Sequence, residues 1–371
     1  MLLSRVWAII PLTHPCYNKR AMKLTTVVSV QGDPTALLSM MRQFNAACNW
    51  LSSLAFAEGL FRWLPLQRRS YYELRQRFGL TGVQATVAIR KVADAYKKDR
   101  RVQRYFRPLG AVPLHRHSYR PDSTLRVYGH TVRWTARPGL TLPRNVPEAL
   151  LVYRDGRFFI QQPLETREAT PHEVTGYLGC DLGIVNILAD SDGETYSGGK
   201  VNGLRKRHAK LRARLQAKGT RAAKRLLRMR RRKETRFARD VNHCISKRVL
   251  AKAEGTGRGI ALEDLQGIRD RTTVGKAHRR QHHSWSFLQL RSFIQYKGRL
   301  QGVPVVLVDP RNTSRTCPAC GLIDKANRVS QAQFLCVGCG FGGPADTIAA
   351  LNIQRRALSN GPYVASLAGP G

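Results

Sequence analysis

The sequence predicts an α/β protein made of several domains. Its 371 residues are enough for two or three domains, and 42% of them are apolar, which suffices for a buried core. Toward the N-terminus, β-type runs lie on both sides of a block with helical periodicity. Toward the C-terminus, three short strands precede helical stretches that alternate with single buried strands, and this alternation favours an α/β class.

The N-terminal part is predicted to be a β-barrel with a helical insertion. Residues 23–33 are rich in β-branched side chains, which favours a strand. Residues 34–106 place apolar side chains at spacings of three and four, as one helix face does. Residues 107–172 return to short β-type runs separated by Gly, Pro and Asp-Gly turns. If the first strand pairs with the later ones, the helical block is an insertion into one sheet.

The C-terminal part is predicted to be an α/β domain that contains a cysteine-rich insert. The domain comprises residues 173–316 and 341–360, and the insert comprises residues 317–340. The chain ends are expected to lie outside the domains. Residues 1–22 would be an N-terminal extension, and residues 361–371 would be a flexible tail.

The charge of the chain indicates a polyanionic partner. The chain carries 63 Lys and Arg against 24 Asp and Glu, a formal net charge of +39. Such an excess causes self-repulsion in a compact protein, and a nucleic acid or an anionic membrane would relieve it. No apolar run approaches the roughly 20 residues that span a bilayer, and the basic stretch lacks the apolar face of a membrane-surface helix. Nucleic acid is therefore favoured. The N-terminus resembles a signal peptide only weakly, so we expect a cytoplasmic protein.

The positive charge is concentrated in one predicted helical stretch. Residues 205–239 hold 17 Lys and Arg and a single acid. A helix of this composition repels itself, and a phosphate backbone removes that repulsion. We expect contact with a nucleic-acid backbone, although a solvated charged face would have the same composition. The candidate contacts are Arg205, Lys206, Arg212, Arg225 and Arg232.

Four of the eight cysteines form the pattern of a zinc site. Cys317 and Cys320, like Cys336 and Cys339, are separated by two residues and followed by Gly. This spacing lets one turn aim both sulfurs at one ion, and Gly accepts the positive φ of such a turn. Two disulfides or unrelated thiols are the alternative, which a reducing compartment disfavours. Because four sulfurs fill a tetrahedral zinc shell, the site would be structural.

Three acids lie where acids are rarely found. Asp181 and Glu263 each end an apolar strand, and Asp346 opens the last helix. A carboxylate at the end of a buried strand is costly unless a cation or a partner neutralises it. Three carboxylates from separate elements could hold two Mg²⁺, which prefer oxygen ligands and hydrolyse phosphodiesters in pairs. Alternatively, Asp181 and Asp346 are turn or cap residues and Glu263 is an ion-pair partner.

Four segments, in order along the chain, resemble the TnpB family of transposon-encoded RNA-guided nucleases, which is related to type V CRISPR effectors. The similarity is clear from about residue 175 to 355. It is weaker upstream, where the β–helical–β order is compatible with the family's wedge and recognition lobes. Residues 285–297 also resemble the helix that precedes the family's zinc ribbon. The four segments are Gly-Cys-Asp181-Leu-Gly, Ala-Leu-Glu263-Asp-Leu, Thr-Ser-Arg-Thr-Cys317-Pro-Ala-Cys320-Gly, and Asp346 followed by Ala-Ala-Leu-Asn-Ile.

The resemblance implies an RNase H-like RuvC nuclease domain with an inserted zinc ribbon, preceded by a wedge-like β-barrel with a helical recognition lobe. Asp181, Glu263 and Asp346 would be the catalytic acids that hold Mg²⁺. The four cysteines would hold a structural zinc in a ribbon that handles the target strand. A guide RNA from the transposon end would select double-stranded target DNA by base pairing, and the protein, a monomer or dimer, would read a short flanking motif.

The last motif departs from the family pattern. Family members often have Asp-Arg-Asp-x-Asn-Ala-Ala, whereas this chain has Pro344-Ala345-Asp346-Thr347-Ile348-Ala-Ala. The last acid is present without its polar neighbours, and the loss of such a group weakens metal sites by about 10–100-fold. Three functions remain open: an RNA-guided DNA endonuclease, a nuclease-impaired guided DNA-binding repressor, and a strand-joining transposase. No helix-turn-helix pattern supports the third.

Overall fold

The protein forms two compact units in a computed structural model, and the chain divides between them at Thr166 and Arg167. Most of the expected N-terminal extension, the expected C-terminal tail and the basic segment around residues 269–283 lie outside the described residues. Within the described ranges, no helix is sufficiently long and apolar to cross a membrane. The structure describes residues 21–115, 124–135, 148–230, 232–265 and 287–359.

The first unit combines three helices with a six-stranded sheet. The sheet order is β2-β5-β6-β1-β4-β3, so the first strand lies between later ones. The two β parts of the sequence therefore form one sheet, with the helices inserted after its first strand, as predicted. Closure into a barrel stays a prediction. In chain order the elements are β1 (Ala21–Gln31), α1 (Pro34–Ala57), α2 (Trp63–Phe78), α3 (Gly82–Tyr96), β2 (Val112–His115), β3 (Thr124–Val127), β4 (His130–Thr135), β5 (Glu148–Arg154) and β6 (Arg157–Arg167).

Local signals set the helix ends of this unit. The Asp33 side chain accepts a hydrogen bond from the Thr35 amide and caps α1. Thr81 and Gln84 form a capping box at the start of α3. Gly79 ends α2 in the left-handed conformation, with φ 59°. The helices and the sheet share one core, whose fully buried members include Phe44, Leu51, Ile89, Leu114 and Leu151.

The second unit is built on a five-stranded sheet with the order β11-β10-β7-β8-β9. The predicted three-strand meander is present, because β8 pairs antiparallel with both β7 and β9. Strand β10 lies parallel to both β7 and β11. In chain order the elements are β7 (Tyr177–Asp181), β8 (Asn186–Asp190), β9 (Thr195–Ser197), α4 (Gly199–Lys218), α5 (Arg221–Arg230), α6 (Lys233–Gly255), β10 (Gly259–Glu263), α7 (Phe287–Gln301), β11 (Val305–Val308), β12 (Gln333–Leu335), β13 (Gly342–Pro344) and α8 (Ala345–Ser359).

Helices cover both faces of this sheet. Cys180 of β7 and Leu262 of β10 are buried in a core that includes side chains of α6 and α7. Ala261, the neighbour of Leu262, is buried in a separate core with side chains of β11 and α8. Because strand side chains alternate between faces, these two cores lie on opposite sides of the sheet.

Two details differ from the sequence expectations. The basic residues 205–239, predicted as one helical stretch, are divided among three helices, which are separated near Gly219 (φ 63°) and Arg232 (φ 67°), both left-handed. The unit boundary also lies six residues before the expected residue 172. The backbone of residues 169 and 172 bonds to residues 299 and 302 of the second unit, which explains the earlier boundary.

Candidate active site

Two neighbouring strands bring Asp181 and Glu263 to one edge of the sheet. β7 and β10 are parallel, and their register pairs Cys180 with Leu262. Asp181 and Glu263 are the next residues on the two strands. Since Cys180 and Leu262 face the core on the α6–α7 side, the alternation of side chains directs both carboxylates to the opposite face, which α8 covers.

Gly179 lets α8 approach β7 and brings Asp346 to the same face. A Cβ on residue 179 would lie 2.1 Å from the Ala350 carbonyl oxygen and 2.7 Å from the Gln354 amide nitrogen, so only glycine fits. Gln354 Nε2 also donates a hydrogen bond to the Tyr177 carbonyl at 2.8 Å. Asp346 lies in the first turn of α8, where the helix N-terminus favours a negative charge.

Asp181 is repelled by the other two carboxylates. Burial, followed by the negative charges of Glu263 and Asp346, raises the pKa of Asp181 to about 7. Burial also raises the pKa of Glu263, although the Thr313 hydroxyl and Arg356 oppose this. The charges of both other acids therefore act on Asp181. A bound cation would relieve this repulsion.

Polar side chains orient two of the acids. Asn186 Nδ2 donates a hydrogen bond to Asp346 Oδ2 at 2.9 Å. The Thr313 hydroxyl donates to Glu263 Oε1, and Asn352 Nδ2 donates to the Thr313 carbonyl at 2.8 Å. Such bonds fix the orientation of a carboxylate before a metal binds. Thr313 and Asn352 belong to the segments that carry the family resemblance, whereas no motif or spacing pointed to Asn186.

Arg328 is a cation of this cluster that the sequence did not reveal. It lies in the cysteine-rich insert, and its Nη2 is 3.9 Å from Asp346 Oδ1. Its positive charge opposes the rise in the pKa of Asp181. One arginine in a chain with 63 Lys and Arg has no distinguishing sequence context, so its role follows only from its position.

The departures from the family motif have a structural explanation. Pro344 belongs to β13 and pairs with Gln333 of β12, and the Ala345 amide donates to the Ala332 carbonyl at 2.9 Å. Ile348 is buried in a small core with Ala345 and residues of the insert. These positions therefore join α8 to the insert. The polar contacts to Asp346 come instead from Asn186 and Arg328.

The three carboxylates are spread more widely than the cysteine sulfurs. Within the described part of the chain, the cysteines form the one group of three or more His, Cys, Asp or Glu whose ligand atoms all lie within 4.8 Å of one another. A single Mg²⁺, with oxygens at about 2.1 Å, needs its ligand oxygens within about 4.2 Å of one another, and the three carboxylates as they stand do not meet that distance.

The four predicted zinc ligands converge. Cys317 Sγ lies 3.6 Å from Cys339 Sγ, and Cys320 Sγ lies 3.5 Å from Cys336 Sγ. A tetrahedral zinc with bonds of about 2.3 Å sets its sulfurs about 3.8 Å apart. The Ala319 and Gly338 amides donate to Cys317 Sγ and Cys336 Sγ at 3.4 Å each. The donor set and its dimensions therefore fit zinc.

Helices α4 and α5 present a cationic surface. Residues 199–233 contain no Asp or Glu. Arg205 Nε and Arg212 Nη2 lie 3.5 and 3.6 Å from the Glu234 carboxylate, but only 12% of the Arg205 side chain is exposed, against 49% for Arg212. Burial lowers the pKa of Arg205, and Glu234 opposes this. Arg205 therefore anchors α4 to α6, and its contact with phosphate stays a prediction. The predicted contacts that are exposed are Lys206, Arg212, Arg225 and Arg232.

Comparison with known proteins identifies relatives that share part of this chain. Residues 287–353 match the model of the Cas12f1-like TNB domain. The chain is 39% identical over 118 residues to the CRISPR-associated endodeoxyribonuclease Cas12f1 of Sulfoacidibacillus thermotolerans, covering 32% of this chain and 26% of that protein. It is 32% identical over 132 residues to the TnpB-like protein MJ0751 of Methanocaldococcus jannaschii, covering 35% of this chain and 47% of that protein.

The fold of a larger part of the chain is also represented among solved structures. A Cas12f1–sgRNA–target DNA complex, determined by cryo-EM, aligns with a TM-score of 0.56 at 12% identity, covering 86% of this chain and 82% of that chain. This likeness concerns the fold alone. By sequence, the chain spans about a quarter of the length of the Cas12f1 relatives that it matches and about half of the TnpB-like relative.

Proposed function

We propose that this chain, a TnpB-like relative of the type V CRISPR effectors, is an RNA-guided DNA endonuclease encoded by a transposon. The observation that carries the proposal is the cluster of Asp181, Glu263 and Asp346 on one face of the sheet, where each acid comes from a different element. Three partly buried carboxylates, of which Glu263 and Asp346 raise the pKa of Asp181, are unfavourable without a cation, and a nuclease has a use for that cation.

Asp181, Glu263 and Asp346 would together hold two Mg²⁺. The chemistry that such ions would supply is polarisation of the scissile phosphate and electrostatic stabilisation of the attacking and leaving oxygens. Asn186 and the Thr313 hydroxyl would keep Asp346 and Glu263 oriented. These hydrogen bonds reduce the reorganisation that binding requires.

The cysteine cluster would hold one structural zinc in a ribbon that handles the target strand. All four ligands of the zinc would be cysteine sulfurs, so no coordination position would be left for a water or a substrate. The ribbon joins the nuclease fold beside the acids, because α8 begins directly after β13. This position suits a segment that presents a DNA strand to the acid cluster.

The α4–α5 surface would contact the sugar–phosphate backbone of the guide RNA or of its hybrid with DNA. Its cations can replace condensed counterions without reading bases, which is the mode of recognition expected when base pairing selects the target. Lys206, Arg212, Arg225 and Arg232 are exposed, and Arg212 also lies 3.6 Å from Glu234 Oε2. Arg205 would act indirectly by holding α4 against α6 through Glu234.

Cleavage of plasmid DNA tests the proposal. The full chain is purified with the RNA that accompanies it, the RNA is sequenced, and a plasmid with the matching target is incubated with Mg²⁺. We expect target-dependent linearisation, which Asp181→Ala abolishes without reducing RNA binding. Equal loss of RNA binding in Asp181→Ala would make this residue structural, and the absence of any copurified RNA would contradict the guided mechanism.

A nuclease-impaired, guided DNA-binding repressor is the second candidate. It is favoured by Pro344, Ala345 and Ile348, which replace the polar residues typical of the family's last motif. The same preparation separates the two candidates. Target-dependent retention of the DNA without cleavage, at saturating Mg²⁺, would support the repressor over the endonuclease.

A further inference from the structure

Asn327 is a fully buried polar residue in the spacer between the two cysteine pairs. Its side-chain Nδ2 donates hydrogen bonds to the Arg315 carbonyl at 2.9 Å and to the Leu322 carbonyl at 3.1 Å. Its Oδ1 accepts a hydrogen bond from the Val337 amide at 3.0 Å. Its backbone carbonyl accepts one from the Leu335 amide at 2.8 Å. The amide group therefore uses both of its donors and its acceptor within the ribbon.

These bonds connect the two cysteine turns. The Leu322 carbonyl, which Asn327 contacts, also accepts the Cys317 amide at 2.9 Å and so belongs to the first turn. Val337 lies between Cys336 and Cys339 in the second turn. A single side chain thus sets the distance between the turns whose sulfurs would share the zinc.

The next residue in the chain is Arg328, whose guanidinium reaches the acid cluster. Its Nη2 lies 3.9 Å from Asp346 Oδ1 and donates a hydrogen bond to the Gln331 carbonyl at 3.1 Å. Its backbone amide donates to the Lys325 carbonyl at 3.2 Å. Only one peptide bond separates the residue that joins the cysteine turns from the cation beside Asp346. A shift of Asn327 must therefore displace Arg328.

We propose that Asn327 is a positioning residue, which couples the geometry of the two cysteine turns to the placement of Arg328 against the acid cluster. The effect of this coupling on metal binding rests on the proposed function, because the placement of a cation beside Asp346 matters for a site that holds divalent ions. It concerns how the ribbon acts on the acids, whereas the proposed function assigns the acids and the cysteines themselves.

Asn327→Asp is the informative substitution. It keeps the size of the side chain and an acceptor for Val337, but it replaces the two donor bonds with a carboxylate that faces the Arg315 and Leu322 carbonyls. Unsatisfied or repelling polar groups in a buried position destabilise their surroundings strongly. Ser330→Ala is the matched control. Its hydroxyl accepts from the Ala332 and Gln333 amides in the same spacer but is exposed and joins neither cysteine turn.

A double-mutant cycle tests the coupling. The wild-type chain with its RNA is compared with Asn327→Asp, Arg328→Ala, the double variant and Ser330→Ala. Mn²⁺ binding is measured by the loss of the free-ion EPR signal, and zinc content is measured in each preparation. If Asn327→Asp retains less zinc than the wild type, Asn327→Ser, which keeps one donor, replaces it in the cycle.

We expect Arg328→Ala to tighten Mn²⁺ binding by at least about threefold, because a cation is removed from the surroundings of the bound ion. Asn327→Asp should shift the affinity in the same direction, the double variant should match Arg328→Ala alone, and Ser330→Ala should match the wild type. Additive effects, or an Mn²⁺ affinity that Asn327→Asp leaves unchanged, would overturn the proposal. The titration needs no DNA cleavage. If the cycle shows this coupling but the wild-type chain does not cut DNA, only the proposed function is contradicted.

Discussion

The contact between Gly179 and α8 offers a direct way to move Asp346 without altering any acid. The substitution Gly179→Ala adds one Cβ, which would lie 2.1 Å from the Ala350 carbonyl oxygen. Non-bonded atoms prefer separations of about 3.5 Å, so the backbone of α8 or β7 must move by more than about 1 Å. The obstructing atoms are backbone, so no side-chain rotation relieves the clash.

This displacement has two measurable consequences. Overpacking costs about 1–3 kcal/mol, and we expect the upper end because a helix and a strand must separate. Metal sites tolerate errors of only about 0.2 Å in ligand position, so Mn²⁺ binding should weaken by at least about tenfold when Asp346 moves with α8. Both effects come from one methyl group that touches no carboxylate.

Urea denaturation and Mn²⁺ titration of the Gly179→Ala variant measure these effects. Gly176→Ala is the matched control, because Gly176 lies just before β7 and a Cβ there would meet no atom within 4 Å. The control should retain the unfolding free energy and the Mn²⁺ affinity of the wild type. A Gly179→Ala variant that is as stable as Gly176→Ala and binds Mn²⁺ as tightly would refute the role assigned to this contact.

The pKa of Asp181, about 7 against a usual 3.8, means that the folded protein binds this proton more tightly than the unfolded chain. Without Mg²⁺, the free energy of unfolding measured in urea titrations should therefore fall by about 2 kcal/mol between pH 5.5 and 7.5. The Asp181→Asn variant should not show this loss, and neither should the wild-type chain in saturating Mg²⁺. Cys320→Ser should release zinc to a competing chelator at least about tenfold faster and lower the melting temperature; an unchanged melting curve would contradict a structural zinc. Lys206→Ala and Arg225→Ala should each reduce the salt dependence of RNA affinity, d log K/d log[salt], by about 0.7–0.9. Arg205→Ala should instead lower stability and leave that slope unchanged.

Much of the acid cluster could be predicted, because a strand is recognised from a short, local pattern of residues in the sequence. Apolar strands ending in Asp181 and Glu263 indicated two carboxylates at strand ends, and the parallel register of β7 and β10 makes them neighbours. The contribution of Gly179 was not apparent, because the need for glycine arises only where α8 crosses β7. Asn186 and Arg328 were missed for a similar reason. Asn186 lies 160 residues from the acid that it contacts, and no local pattern records such a contact.

The helical stretch after β9 shows the same limit. Gly219 was a usable signal for a helix end, because glycine adopts the left-handed conformation readily, and α4 does end there. Arg232 was not a usable signal, because a non-glycine residue rarely adopts φ 67° and nothing in its sequence context favours it. The burial of Arg205 likewise depends on Glu234 of α6, so composition alone could not distinguish it from the exposed cations around it.

Anomalous diffraction from crystals of the protein soaked in Mn²⁺ would locate the divalent ions directly. We expect two peaks about 3.5–4 Å apart, with Asp181 between them and Glu263 and Asp346 each on one ion. A single surface peak elsewhere, or carboxylates that contact only protein at saturating Mn²⁺, would contradict it.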